Sequence, residues 1–213
     1  LHSTSRRQRQ MCIRDRGSNA WNTVKNELNM KGISSSAPDL FELAKGKELD
    51  YNTVYQVFSR LCDSYEDRLN LCGLSLGGLL ALNYAIQYPE KINSLVLIGT
   101  PYEIPKGFLK LQNFVFKFMP KSVFQNMGIS KKDFIHLSNS MTNLNFMELV
   151  ATLGCPALIL CGAKDKTNME SAKRFHEAMK NSKLVIVDDS GHEVNKDNPN
   201  ELVSILQDFW AER

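Results

Sequence analysis

Short apolar runs alternate with amphipathic stretches along most of the chain. Strands are predicted near residues 33–37, 69–72, 94–98, 157–161 and 184–187, and helices near 21–29, 52–64, 78–86, 169–180 and 200–210. Buried strands of a parallel sheet read as continuous apolar runs, and helices that cover a sheet have apolar faces with helical spacing. The pattern therefore predicts an α/β protein with a mostly parallel sheet and helices on both faces.

One motif, Gly73-Leu74-Ser75-Leu76-Gly77, lies between a predicted strand and a predicted helix. A serine on such a tight turn projects its hydroxyl away from the sheet, and glycines two residues to either side let strand and helix approach closely. Ser75 is therefore the candidate nucleophile. In the alternative interpretation, Ser75 only caps the helix that follows.

A serine nucleophile needs a histidine base, and the histidine needs a carboxylate to fix its tautomer. His192 follows the predicted strand 184–187 and lies in a Ser-Gly-His-Glu turn, where α/β sheets place functional groups. His136 and His176 fall in charged, helix-like stretches, and His2 lies in an atypical N-terminal segment. The sequence therefore favours His192 as the base.

The candidate acid is Asp165, just past the predicted strand 157–161. Its alternative role is to cap the helix that begins near residue 168. Asp188 and Asp189 are rivals by proximity, but a carboxylate on the same strand end as His192 would have to reach the imidazole from behind. We therefore expect Asp165 to be the partner of His192.

The chain order Ser75, Asp165, His192, each after its own strand, resembles the α/β-hydrolase superfamily. The short chain and the Gly-Leu-Ser-Leu-Gly-Gly turn are most similar to small carboxylesterases, a group that includes pimeloyl-carrier-protein methyl ester esterases and enol-lactonases. The resemblance implies a Ser-His-Asp triad that hydrolyses carboxylic esters of small or medium apolar acyl groups through an acyl-enzyme. It also implies that the Leu76 backbone N–H is one oxyanion donor, and that no metal or organic cofactor is used.

Other activities on the same fold remain open at this point. They are a triad-bearing lyase, acyltransferase or lactonase, and a non-catalytic ligand-binding relative. Serine at the turn argues against the dehalogenases and epoxide hydrolases of this fold, which use aspartate there.

Composition narrows the class of protein. The 213 residues, 43% of them hydrophobic, suit one globular domain. The net charge is +3, but residues 1–16 hold five arginines and one aspartate, so residues 17–213 carry a net charge of −1. This near-neutral body gives no support to nucleic-acid binding. Five cysteines without metal-site spacing indicate a reducing compartment, and no apolar run reaches membrane-span length, so we expect a cytoplasmic location.

Residues 102–145 interrupt the alternation and are rich in phenylalanine and methionine. The resembled family inserts a helical lid at this point. Phe108, Leu111, Val115 and Phe118 recur at helical spacing, with Phe114 and Met119 beside them. The sequence predicts a lid helix whose apolar stripe packs over the sheet, with Trp21, Phe114 and Phe118 as substrate contacts. A helix that lies on a membrane surface is the alternative for this stretch.

The N-terminal segment does not fit the pattern. Residues 11–16, Met-Cys-Ile-Arg-Asp-Arg, resemble translated sequencing adapter, so we expect residues 1–16 to be a non-native tail, residues 17–213 to be the domain, and the first strands to be missing. A natural basic tail is the alternative. The resembled family begins its oxyanion loop with His-Gly, where this chain has Arg14 and Asp15. We expect residues 10–13 either to fill the sheet position beside the Ser75 strand or to leave it open, and the chain to fold poorly.

Overall fold

The computed structural model describes residues 10–13, 20–104, 116, 118–125 and 128–212. Their strands are β1 (Gln10–Ile13), β2 (Ser35–Ser36), β3 (Leu69–Leu74), β4 (Ile92–Ile98), β5 (Ala157–Gly162) and β6 (Ser182–Val187). Their helices are α1 (Asn22–Met30), α2 (Leu40–Leu43), α3 (Tyr51–Asp63), α4 (Leu76–Gln87), α5 (Lys121–Gln125), α6 (Lys131–Ser140), α7 (Met147–Val150), α8 (Met169–Ala178), α9 (Val194–Asp197) and α10 (Pro199–Ala211).

The strands form one parallel sheet in the order β2-β1-β3-β4-β5-β6. Its register aligns Leu74 with Ile98 and Ile98 with Leu160, so β3, β4 and β5 finish side by side. Because every strand runs in the same direction, the residues that follow them gather at one edge of the sheet. The predicted parallel α/β architecture is confirmed.

The core lies on both faces of the sheet. Alternate residues of a strand point to opposite faces, and the central strands divide their buried side chains accordingly. One face is covered by α3, α4 and α8, and the other by α1 and α10. Strand residues packed on the first face are Leu71, Leu97 and Ile159, and those on the second are Cys72, Val96 and Leu158.

Helix α4, which follows the Ser75 turn, is apolar on nearly every side. Its residues Leu79, Leu80, Ala81 and Leu82 are all buried. A helix with no polar face belongs in the interior of a domain rather than on its surface. The position of Ser75 is therefore fixed from both directions, by the buried strand β3 and by the buried helix α4.

Residues 10–13 occupy the position beside β3, one of the two outcomes expected for them. They pair in parallel with Asn70 to Gly73 on one side and with β2 on the other. Strand β2 is shorter than predicted and spans only Ser35–Ser36. The other boundaries lie within a few residues of those read from the sequence.

The described part of the predicted insertion, residues 102–145, contains the helices α5 and α6. An antiparallel bridge between Glu103 and Asn145 closes its base, and the rings of Phe116, Phe124 and Phe134 pack together at centroid distances of 5.1 to 5.8 Å. Of the predicted apolar stripe, residues 108, 111, 114 and 115 lie outside the described residues. Phe118 is 75% exposed and does not pack on the core.

The approach of strand and helix at Gly73 gives the first prediction. A Cβ at this position would lie 2.3 Å from the carbonyl carbon and the carbonyl oxygen of Gly77, which cannot move without displacing α4. We expect Gly73→Ala to lower the free energy of unfolding by about 1–3 kcal/mol or more. Urea unfolding followed by circular dichroism measures this change.

The matched control is Gly154→Ala, because a Cβ there would meet no atom within 4 Å. Its free energy of unfolding should stay within about 1 kcal/mol of the parent protein. Equal destabilisation by the two substitutions would contradict the close approach of β3 and α4.

Candidate active site

Ser75 lies on a strained turn between β3 and α4. Its φ of 55° and ψ of −116° fall where an L-residue is costly, about 1–3 kcal/mol. Its backbone N–H donates to the Ile98 carbonyl at 2.8 Å, which continues the β3–β4 ladder past the end of the strand. Its side chain makes no cap hydrogen bond with α4. The alternative in which Ser75 serves as a helix cap therefore has no support in the geometry.

Asp165 and His192 are in direct contact, although 27 residues separate them in the sequence. The His192 Nδ1 atom lies 2.8 Å from Asp165 Oδ2. Asp165 follows β5 and is only 7% exposed, whereas the His192 side chain is 29% exposed. The carboxylate is thus buried behind an imidazole that solvent can still reach.

The rival residues lie elsewhere. Asp189 is almost fully exposed and pairs with Lys164, and Asp188 is also exposed. His136 lies 3.4 Å from Glu48, and the His176 ring contacts the Ser182 hydroxyl. Among the described residues, only His192 is paired with a buried carboxylate.

Gly99, just past β4, lies against this pair. Its φ is +49°, and a Cβ there would lie 3.0 Å from His192 Nδ1 and 3.2 Å from Asp165 Oδ2. Ser75 is bonded to the residue before it, Ile98. The Ser75 backbone and the Asp165–His192 pair therefore both lie at the end of β4, where Gly99 supplies both the left-handed backbone and the space for the imidazole.

Asn168 completes the surroundings of Asp165. Its Nδ2 atom lies 3.0 Å from Asp165 Oδ1, 2.9 Å from Oδ2 and 3.2 Å from His192 Nδ1. Burial acts to raise the pKa of Asp165, but the hydrogen bonds from His192 and Asn168 together outweigh it and hold the pKa below its usual value. The carboxylate is therefore ionised at neutral pH.

The sequence did not reveal Asn168 as a site residue. The only signal was the Asp-x-x-Asn spacing at a helix start, which usually indicates a cap. Asn195 was missed too. It lies in the turn after His192, is 4% exposed, and donates from Nδ2 to the Ala20 carbonyl at 2.8 Å, which ties the His192 turn to the segment that precedes α1.

Leu76 is the first residue of α4. The first amides of a helix have no intrahelical acceptor and carry the positive end of the helix dipole. The Leu76 N–H, adjacent to Ser75, is therefore suited to bind a developing negative charge.

Of the three predicted substrate contacts, the structure describes Trp21 and Phe118. Trp21 is only 1% exposed and packs among Leu74, Ile98 and Val194 in the core beneath the site. It offers no accessible surface to a substrate, so it is a core residue rather than a substrate contact. Phe118 faces outward, and Phe114 lies outside the described residues.

Within the described residues, no group of three or more His, Cys, Asp or Glu side chains could hold a metal ion. In the same part of the protein, no helix is long and apolar enough to cross a membrane. A cavity of 370 Å³ lies where β3, β4 and β5 begin, at the edge opposite the triad. Its lining residues are Arg68, Pro89, Asn93, Gly154, Cys155 and Pro156. The cavity therefore lies away from Ser75, Asp165 and His192.

Comparisons with known proteins agree with the fold described above. A family model described as alpha/beta hydrolase fold matches residues 32–126. A Bacillus subtilis protein provisionally named 2-succinyl-6-hydroxy-2,4-cyclohexadiene-1-carboxylate synthase is 24% identical in an alignment 200 positions long, gaps included, and the alignment covers 75% of this chain and 73% of the relative.

Two solved structures illustrate the similarity in three dimensions. The enol-lactonase from Burkholderia xenovorans LB400 superposes with a TM-score of 0.82 at 13% identity, covering 96% of this chain and 92% of the other. A thermophilic esterase from Thermogutta terrifontis superposes with a TM-score of 0.79 at 17% identity, covering 96% and 90%. At these identities the structural matches show a shared fold and nothing beyond it.

The lowered pKa of Asp165 predicts a pH dependence of stability. A carboxyl whose pKa is lower in the folded than in the unfolded state, about 3.9, stabilises the fold above that value. The stabilisation is lost as the pH falls through the folded pKa. The difference in unfolding free energy between the parent protein and Asp165→Asn should therefore shrink as the pH falls from about 5 to 3. Urea titrations across this range measure it, and a difference that stays constant or grows would contradict the assigned direction.

Proposed function

We propose that this chain, which belongs to the α/β-hydrolase superfamily and has its fold, is a serine hydrolase that cleaves carboxylic esters. The observation that carries the proposal is the convergence at Gly99. There Ile98 accepts the backbone N–H of a serine on a strained strand-to-helix turn, and the next residue, Gly99, lies against an imidazole paired at 2.8 Å with a buried carboxylate. Few reactions other than acyl transfer would require a strained serine close to such a pair.

In the proposed mechanism, His192 accepts the proton of the Ser75 hydroxyl as the oxygen attacks the ester carbonyl. Asp165 keeps the Nδ1 proton of His192 in place and stabilises the imidazolium that forms. The Leu76 N–H binds the oxyanion. The imidazolium then protonates the leaving alcohol, and a water molecule activated by His192 releases the acid and restores Ser75. This last step requires water to reach His192, which its partial exposure permits.

The acyl group is proposed to be small or medium in size and apolar. The helical segment after β4 carries the aromatic cluster of Phe116, Phe124 and Phe134. Phe124 is buried within this cluster, whereas Phe116 and Phe134 are partly exposed, and as a lid the segment would present these two rings to the substrate. The names of the two structural neighbours, an esterase and an enol-lactonase, point to the same bond type.

The thiol of Cys161, close to the site, is not a competing nucleophile. Burial raises the pKa of Cys161 to about 12, so it stays a neutral thiol at physiological pH. Five cysteines, an odd number, also favour a reducing compartment, and we propose that the protein works in the cytoplasm.

The nucleophile assignment is tested by Ser75→Ala. We expect the hydrolysis of p-nitrophenyl butyrate to fall by at least about 10³-fold and labelling by a fluorophosphonate probe to disappear, because both require the Ser75 oxygen. Ser64→Ala is the matched control, since this exposed serine at the end of α3 bonds to the nearby Leu61 carbonyl, far from the site. It should keep full activity and labelling, and hydrolysis that survives in Ser75→Ala would overturn the assignment.

The proposed acyl preference is tested with p-nitrophenyl esters of two to twelve carbons. An apolar pocket of limited depth predicts that kcat/KM rises with each added methylene, by roughly 3-fold per methylene, and then falls once the acyl group exceeds the pocket. A preference for acetate over every longer acyl group would argue against an apolar acyl site.

A second candidate function is suggested by the Bacillus subtilis relative, which carries the name of a synthase. The same Ser-His-Asp group could abstract a proton from a substrate and eliminate a leaving group instead of forming an acyl-enzyme. Turnover of that relative's substrate class with no ester hydrolysis, and no accumulation of an acyl-enzyme by mass spectrometry, would favour this candidate.

A further inference from the structure

We infer that Asn168 is a positioning residue of this site, whose side-chain amide holds the Asp165 carboxylate turned toward His192. The inference rests on the proposed function, since it assigns Asn168 a task within the same triad. Nothing in the sequence motif or in the comparisons assigns a role to this residue.

Asn168 forms most of its hydrogen bonds with the Asp165 carboxylate. Its Nδ2 atom lies within hydrogen-bonding distance of both carboxylate oxygens, and its backbone N–H lies 3.3 Å from Oδ1. The residue is 8% exposed, so these bonds form in a setting from which water is largely excluded. Hydrogen bonds to a buried charge are about twice as strong as neutral ones. Asn168 therefore restrains the carboxylate from one side while His192 binds it from the other.

Asn168 stands at the position where an asparagine normally caps a helix. It directly precedes α8, and its carbonyl accepts the Ala172 N–H as the helix begins. Its side chain nevertheless makes no cap hydrogen bond with α8. An N-cap asparagine typically stabilises its helix by about 1 kcal/mol. Here the amide is directed to Asp165 instead, which indicates a role in the site rather than in the helix.

The arrangement also selects the tautomer of His192. Both the Asn168 Nδ2 group and the His192 Nδ1–H group can donate to Asp165 Oδ2, which explains why the two nitrogens lie only 3.2 Å apart. With Nδ1 protonated, the opposite ring nitrogen keeps its lone pair and can accept the serine proton. If the carboxylate turned away, Asn168 could instead donate to an unprotonated Nδ1, which is the unproductive tautomer.

Other ionisable groups around the pair are engaged elsewhere. The Cys161 thiol of β5 contacts the Asp165 carbonyl, and Asp197 of α9 accepts the Gly191 N–H. Lys164 pairs with Asp189. On the β4 side the pair meets the backbone of Gly99. A substitution at Asn168 should therefore alter the charge on Asp165 while disturbing the rest of the site less than a substitution at these other neighbours would.

Two substitutions separate the positioning role from a structural one. Asn168→Asp keeps the shape and the ability to cap α8 but replaces the donor by a second carboxylate, whereas Asn168→Ala removes the group. We expect both to lower kcat by about 10- to 100-fold with KM nearly unchanged, because Asn168 does not touch the substrate. The acidic limb of kcat/KM should move to higher pH by about one unit, further in Asn168→Asp, because the Asp165 carboxyl takes up a proton more readily once it has lost this donor.

The matched control is Asn181→Asp, which adds the same charge at an exposed position where β6 begins, at the opposite edge of the sheet. Its kinetics and pH profile should match those of the parent protein. A kcat and pH profile of Asn168→Asp that superimpose on those of the parent would overturn the inference, since a cap or a space-filling role tolerates that change.

A readout that does not depend on turnover keeps this test separate from the proposed function. Nitrogen NMR of histidine-labelled protein, with His192 assigned through a His192→Gln variant, reports the tautomer and protonation of the ring directly. We expect the Nδ1-protonated form in the parent and a mixture of tautomers in Asn168→Ala. An unchanged tautomer in both variants would overturn the inference, whereas an inactive parent with the expected spectra would overturn the ester hydrolase proposal alone.

Discussion

The parallel register of β3, β4 and β5 is the constraint on which the site depends. It places Leu74, Ile98 and Leu160 side by side, and the Ser75 N–H extends the ladder by one bond to Ile98. A slip of one residue would move a strand end by about 3.3 Å. That displacement is larger than the donor–acceptor distances of the hydrogen bonds in the site, so a slip would break these bonds together. Backbone pairing thus places the Ser75 turn and the ends of β4 and β5 at one edge of the sheet, although Asp165 lies 90 residues after Ser75 in the sequence.

Register is in turn fixed by the two-sided core. Because a shift by one residue would move every strand side chain to the opposite face, the division of β3, β4 and β5 between the two packed faces admits one alignment. The same core holds the backbone of Ser75 and Gly99 in left-handed conformations. Strain of about 1–3 kcal/mol at Ser75 is offset by neighbours such as Leu74 and Leu76, whose burial contributes about 1.5–3 kcal/mol each.

The parts of the fold that follow from local pattern could be predicted from the sequence. Continuous apolar runs predicted the central strands, and the turn motif predicted Ser75 because glycine spacing and flanking elements are properties of neighbouring residues. The contact of Asp165 with His192 was expected from the position of each residue after a strand. Burial in the tertiary structure was harder to predict. Trp21 follows a stretch that contains glycine and serine, as an aromatic residue in a loop often does. It nevertheless packs beneath the strand ends.

Two further misses have the same origin. Several helical phases fit the aromatic residues of the insertion, so spacing alone did not show that Phe116 packs against Phe124 or that Phe118 is 75% exposed. Asn168 carries the sequence signal of a helix cap, and only the direction of its side chain distinguishes a cap from a ligand of the acid. Local sequence specifies which groups are available, whereas the packing of distant elements decides which partner each group finds.

The electrostatics of the pair follow from a balance between burial and hydrogen bonding. Burial of Asp165 disfavours its charge, and a carboxyl protonated at neutral pH could not hold the His192 proton in the productive position. Donors on two sides reverse that effect, because each bond to the carboxylate is stronger in a setting poor in water. His192 remains partly open to solvent on its other side. A buried acid behind a solvent-accessible base suits a reaction whose second half requires water. This asymmetry favours hydrolysis over a reaction that excludes water throughout.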